Sequence, residues 1–202
     1  MPSFEFPLVL VTILASTLAV TSAGRGAWVA IALLALTSSA LEFSVADPSH
    51  IGFILRISAI GIGLIAALPE GLFEVEALRR DLALRTLFTT LREHPVVVAS
   101  AGAGLLLGLV PLALPIESSS GALRAAGVAL LVVGLPPLLT SRFIEATTRA
   151  AVVTLAGTLL LRTSIFGALD PLAGIAIGAG FTCILLVGGS VASRIAKAEE
   201  EE

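Results

Sequence analysis

The chain has 202 residues, of which 56% are hydrophobic and 13% charged, and its mean hydropathy is +1.04. A soluble domain would be about a quarter charged, and too little polar surface remains here to cover one water-soluble core, so the composition points to membrane insertion. The net charge of −3 becomes +1 without the four terminal glutamates, no basic patch offers a nucleic-acid surface, and a single cysteine, Cys183, excludes an internal disulfide framework.

Residues 6–23 are uncharged and long enough to span a bilayer. Thr21-Ser22-Ala23 resembles a signal-cleavage site, but Glu5 precedes the run and no Lys or Arg does, so a span is expected rather than a cleaved leader. Residues 27–41 predict a second span, extended by Phe43 and Val45 past Glu42, and Asp47-Pro48-Ser49 predicts the turn that follows. A third span over 51–69 holds Arg56.

Residues 70–95 form the one long polar island. It carries Arg79, Arg80, Arg85 and Arg92 together with five acids. Leu72, Val75, Leu78 and Leu82 recur at helical spacing, as do Leu84, Leu87, Phe88 and Leu91, on roughly opposite faces. The pattern predicts an amphipathic connector lying on the membrane surface; a docking surface for a partner subunit is the alternative.

The rear block begins at residue 96. Residues 96–116 predict a fourth span, kinked or ended by Pro111 and Pro115, and Ser118-Ser119-Ser120-Gly121 a loop. A fifth span over 125–141 is expected to be interrupted at Pro136-Pro137, because two prolines each remove a helix hydrogen bond. Residues 142–149 read as a polar link. A sixth span runs from 150 to about 169 with Arg162 inside it, and a seventh over 171–193 has Pro171 at its first turn and Asp170 as N-cap. Residues 196–202 read as an acidic tail, frayed and disordered from 198. The expected fold is therefore an all-α polytopic integral membrane protein of about seven transmembrane helices. Its blocks are 1–69, 70–95, 96–195 and 196–202.

The charges orient this arrangement. One side would hold Arg25, Arg79, Arg80, Arg85, Arg92, Arg142, Arg149, Arg194 and Lys197; the other would hold Arg56, Arg124 and Arg162. Basic residues collect on the cytoplasmic side, so the N-terminus is expected outside and the C-terminus inside a cell membrane. Tyr is absent and Trp28 stands alone, which leaves interface anchoring to Phe6, Phe43, Phe53, Phe143 and Phe166.

Catalytic, cofactor-binding and metal-binding patterns are missing. His50 and His94 fall on opposite faces of this topology and cannot share a metal. Gly104 with Gly108, and Gly174 with Gly178, have the spacing that lets membrane helices approach closely, within the chain or against another subunit. Arg56 and Arg162 are charges at membrane depth. Each is expected to snorkel outward, with Glu42 and Asp170 as possible partners. The charge-free spans argue against a self-sufficient pump.

Residues 92–196 show a layout: a basic amphipathic link, a span ending in VPLALPIESSSG, a span ending in LLTSRFIEATTR, a further helix, and a final helix reading DPLAG…VASRI. This layout resembles that of hydrogenase-4 component E, a membrane subunit of energy-converting hydrogenases and related complex I-like assemblies. The resemblance implies an outside N-terminus and inside C-terminus for the last helices. Where the family carries an acidic turn, this chain reads Thr154-Leu155-Ala156-Gly157-Thr158, which implies a structural subunit rather than a proton carrier. The expected function is thus a non-catalytic membrane subunit of a larger ion-translocating assembly, with lipid and other membrane subunits as partners and no cofactor. The alternative, suggested by the prolines, is a small transporter or substrate-capturing component.

Overall fold

The computed structural model describes residues 5–22, 24–46, 54, 57, 58, 60–62, 89, 91–110 and 120–200. Six helices have described bounds: α1 (Glu5–Thr21), α2 (Gly24–Ala46), α3 (Pro95–Leu109), α4 (Gly121–Thr140), α5 (Ile144–Phe166) and α6 (Pro171–Glu200). Among the described residues there is no strand. Four segments are long and apolar enough to cross a membrane: Gly26–Ser44 of α2, all of α4, all of α5, and Pro171–Gly188 of α6. The protein is therefore an all-α, membrane-embedded chain. At 17 and 15 residues, α1 and α3 are equally apolar but shorter, about 25 and 22 Å at 1.5 Å per residue. The turn expected at 47–50, most of the third span with Arg56, the connector residues Arg79, Arg80 and Arg85, and the loop over 111–119 lie outside the described residues.

The helix ends follow local chemistry. Val110 precedes Pro111, whose ring disfavours helical backbone at the residue before it, and Val110 is indeed extended (φ −84°, ψ 109°). This is why α3 stops at Leu109 although the uncharged run continues to 116. Ser120 caps α4, its Oγ accepting from the Leu123 amide at 3.3 Å. Asp170 does the same for α6, its Oδ2 accepting from the Leu172 amide at 3.2 Å beside Pro171. Gly167 ends α5 with φ 77°, a left-handed conformation that suits a residue without Cβ.

Three expectations are corrected. Pro136 and Pro137 do not interrupt the fifth helix; α4 runs through both to Thr140. They sit near the end, so only the last turn follows them, and that turn is closed by Ser141 N–H on the Pro137 carbonyl (2.9 Å) and Thr140 Oγ1 on the Pro136 carbonyl (2.8 Å). The link over 142–149 is helical from Ile144, with Glu145 favourably placed in the first turn. The final helix passes the expected end at 193 and reaches Glu200, through Ala, Lys and Glu, all strong helix formers.

Packing is organised by α4, whose residues Leu123 to Leu130 are all buried. It lies against α3, α5 and α1, while α2 packs on α1 and α5, and α6 packs on α5. Lipid offers no hydrophobic drive for helices to associate, so close van der Waals approach must supply the attraction. A Cβ on Gly104 would stand 2.7 Å from the Ala129 Cα, and one on Gly108 would stand 2.5 Å from the Ala125 Cα. On the other flank, a Cβ on Gly127 would meet the Leu161 amide at 2.7 Å, and one on Gly157 the Leu130 Cβ at 2.9 Å. These helices touch backbone to backbone, and only glycine leaves the room. By contrast, among the described residues nothing lies within 4 Å of a Cβ on Gly102 or Gly180.

We expect Gly108→Ala to lower stability in detergent by about 1–3 kcal/mol through overpacking. Gly102→Ala should leave it unchanged or raise it by less than about 1 kcal/mol, because alanine is the better helix former. Thermal unfolding of the two purified variants checks the contrast; equal losses would contradict the packing described.

Candidate functional site

Among the described residues, the polar groups inside this bundle fall into three sets: arginines, hydroxyls and one carboxylate. Arg149 is 7% exposed although it lies in the second turn of α5. Its Nη1 donates to the carbonyl of Ser22, the residue just beyond α1, and its Nε lies 3.9 Å from Glu145 Oε1 one turn back. Arg124, 6% exposed in the first turn of α4, donates through Nε to the Gly108 carbonyl in the last turn of α3 at 2.8 Å. Arg162 donates through Nη1 to the Gly167 carbonyl at the end of its own helix (2.9 Å), its guanidinium 5.9 Å from the centre of the Phe166 ring.

These contacts share one logic. The last carbonyls of a helix have no donor within it and carry partial negative charge, and a guanidinium supplies both a donor and the complementary charge. In apolar surroundings an unmet carbonyl costs several kcal/mol. Arg149 and Arg124 do more than cap. Each ties the end of one helix to the start of another, Arg149 joining α1 to α5 and Arg124 joining α3 to α4.

Most buried hydroxyls turn back on their own helix. Thr12 donates to the Leu8 carbonyl, Thr17 to that of Ile13, Thr148 to that of Ile144 and Ser164 to that of Leu161, at 2.7–2.9 Å. Two on α5 do not: Thr154 Oγ1 and Thr163 Oγ1 are buried without a hydrogen-bond partner. Glu42, near the end of α2, is fully buried. Ile31, Ala35, Ser38 and Ser39 of α2 face Val152, Ala156 and Leu159 of α5, with Phe181 and Leu185 of α6, across a cavity open to a water centre over about 10 Å³.

The residues singled out from the sequence are placed as follows. Gly104 and Gly108 pack on α4, and Gly174 and Gly178 are buried in α6. Arg162 engages the Gly167 carbonyl while Asp170 caps α6, so the structure uses the two separately. Arg92 is exposed just before α3. Arg56, His50, Arg79, Arg80 and Arg85 lie outside the described residues. Sequence reasoning missed Arg124 and Arg149, assigning both to loops. It also missed Gly127 and Gly134, whose seven-residue separation marks one face of a packed helix as well as the four-residue motif does. No group of three or more His, Cys, Asp or Glu side chains is placed to hold a metal among the described residues.

The outer shell is apolar. Val96 and Leu106 on α3, Leu139 on α4, and Leu172 and Val187 on α6 are each more than 60% exposed. Phe6, Phe43, Phe143 and Phe166 are exposed near helix ends, whereas Trp28 is buried.

Comparison of the chain with family models, with curated proteins and with solved structures returned no match.

Replacing Arg149 with Met keeps an unbranched apolar stem and removes the donors. We expect Arg149→Met to cost about 1–3 kcal/mol of stability, the penalty of leaving the Ser22 carbonyl unmet. Arg142→Met, at an exposed position in the α4–α5 turn, should stay within about 0.5 kcal/mol. Thermal melts in one detergent decide between them, and an unaffected Arg149→Met would remove the role assigned to that side chain.

Proposed function

We propose that the chain is a non-catalytic integral membrane subunit of a larger membrane assembly, of the energy-converting hydrogenase or complex I-like kind that its rear-half layout resembles. The observation that carries the reading is how the interior charges are used. Arg124, Arg149 and Arg162 each hold a helix-end carbonyl, and most buried hydroxyls return to their own helix. Side chains engaged this way hold a scaffold together. The second reading, a small transporter, draws on helices broken at Pro111–Pro115 and at Pro136-Pro137; α4 is continuous through the second pair, which takes away that half of its support, and the first pair lies outside the described residues.

The same proposal includes seven crossings, the N-terminus outside and the C-terminus in the cytoplasm, in the cell membrane. Two contacts are in keeping with it. Ser22 meets Arg149, and both belong to the side that the basic residues assign to the cytoplasm. Gly108 meets Arg124 at the other ends of α3 and α4, assigned outside.

Two experiments test the proposal. After extraction from native membranes in mild detergent, the protein should run as a particle much larger than its 20.6 kDa, with the same companions at fixed stoichiometry across preparations. A lone monodisperse species would end the subunit reading. For orientation, single cysteines replacing Ser49, Thr89, Ser119 and Ala198 in a Cys183→Ala chain are labelled on intact cells with an impermeant maleimide. Positions 49 and 119 should react and positions 89 and 198 should not; labelling at 49 without 119 would refute the span count between them.

A further inference from the structure

The scaffold account leaves two arginines unused. Arg142, in the turn between α4 and α5, and Arg92, just before α3, are both exposed. Among the described residues neither side chain has a hydrogen bond or an ion pair. The acid closest in sequence to Arg142 is Glu145, and it is turned to Arg149, its Oε1 3.9 Å from the Arg149 Nε. Glu93 stands beside Arg92 in the chain and offsets part of the charge.

Packing sets both at one rim of the bundle. A Cβ on Gly108 would meet the Ala125 Cα and a Cβ on Gly104 the Ala129 Cα, so α3 and α4 run antiparallel in contact. Continued at the same pitch, Pro95 at the start of α3 stands level with Leu138 in the last turn of α4. Arg92 lies three residues before Pro95, and Arg142 four after Leu138. Large apolar side chains stand bare beside them: Leu139 is 80% exposed, Phe143 78% and Val96 77%. In a membrane-embedded bundle, such side chains and an unpaired guanidinium share one surrounding, the boundary where acyl chains give way to headgroups.

We propose that this rim, the α4–α5 turn together with the start of α3, is a binding surface for anionic glycerophospholipid. Arg142 and Arg92 serve the phosphate-bearing headgroups, and Leu139, Phe143 and Val96 lie among the upper acyl carbons. A guanidinium presents paired donors that match phosphate oxygens, and it is weakly hydrated, so it gives up little on leaving water for a headgroup. In a zwitterionic lipid the headgroup's own ammonium competes for that phosphate; in an anionic lipid nothing does, and this sets the preference. Unlike Arg124 and Arg149, neither arginine ties one helix to another, so both are available to the lipid. The inference requires only that the bundle lies in a membrane; neither the subunit reading nor the orientation enters it.

Native mass spectrometry of the delipidated full chain, titrated with phosphatidylglycerol and phosphatidylcholine of matched acyl chains, tests it. The parent should bind phosphatidylglycerol severalfold more tightly. A basic residue at an anionic membrane surface is worth about a factor of five, so Arg142→Gln should weaken phosphatidylglycerol binding by about that factor and Arg92→Gln/Arg142→Gln by about 25-fold. Binding of phosphatidylcholine should stay as it is in both variants. Arg194→Gln/Lys197→Gln removes the same charge from the last turns of α6 and should leave phosphatidylglycerol binding nearly unchanged. Equal affinity of the parent for the two lipids overturns the proposal. So does an equal loss in the α6 variant, which would mean diffuse attraction to net charge. Displacement of phosphatidylglycerol by millimolar inorganic phosphate also overturns it, by assigning the arginines to a free anion.

Discussion

The constraint on which the structure depends is the distance at which α4 meets its neighbours. In lipid, helices gain little from burying apolar side chains against each other, because hydrocarbon surrounds them in either state. What remains is contact at short range, and short range requires the absence of side chains. Gly104 and Gly108 bring α3 onto α4, while Gly127 and Gly157 bring α5 onto it from another side. Alanine fills much of the rest, with Ala125, Ala126 and Ala129 all fully buried. The five-helix contact network around α4 and α5 follows from these positions; among the described helices α6 packs chiefly on α5 and is the least buried of the four long apolar ones.

Once helices pack so closely, their ends become the costly places. Each helix ends in carbonyls that have no donor, and within a membrane water is scarce. The bundle answers with arginine. A guanidinium has five donors in a rigid fork and stays charged, so it can serve a carbonyl and a carboxylate at once, as Arg149 does with Ser22 and Glu145. The cost of burying the charge is offset where two helix ends are fixed by one side chain. This explains how a chain with spans that hold so few charges tolerates arginine within α4 and α5.

Much of this architecture was legible in the sequence, for physical reasons that can be named. Apolar runs bounded by polar residues give helices in lipid because nothing else satisfies the backbone there, and α1, α2, α4 and α6 begin within a few residues of the expected places. Pro111 and Asp170 act locally and were readable as punctuation. The misses are tertiary. Arg149 looked like the end of a polar link because a charge normally closes a span; only the distant Ser22 carbonyl makes it part of one. Pro136 and Pro137 looked like a break because propensity does not know that they fall in the final turns. Gly127 and Gly134 are seven apart and Gly157 lies on another helix, so no single short motif contains them.

The claim that α4 and α5 meet through backbone can be separated from ordinary side-chain packing by one suppressor measurement. A Cβ at residue 127 would strike the amide and Cα of Leu161 at 2.7 and 3.0 Å, and the Gly157 carbonyl at 3.0 Å; none of these belongs to a side chain. Trimming the Leu161 side chain therefore relieves nothing. In thermal melts, Gly127→Ala/Leu161→Ala should be no more stable than Gly127→Ala alone. A double variant restored to the parent's stability would show that side-chain crowding, and not backbone contact, sets the distance between the two helices.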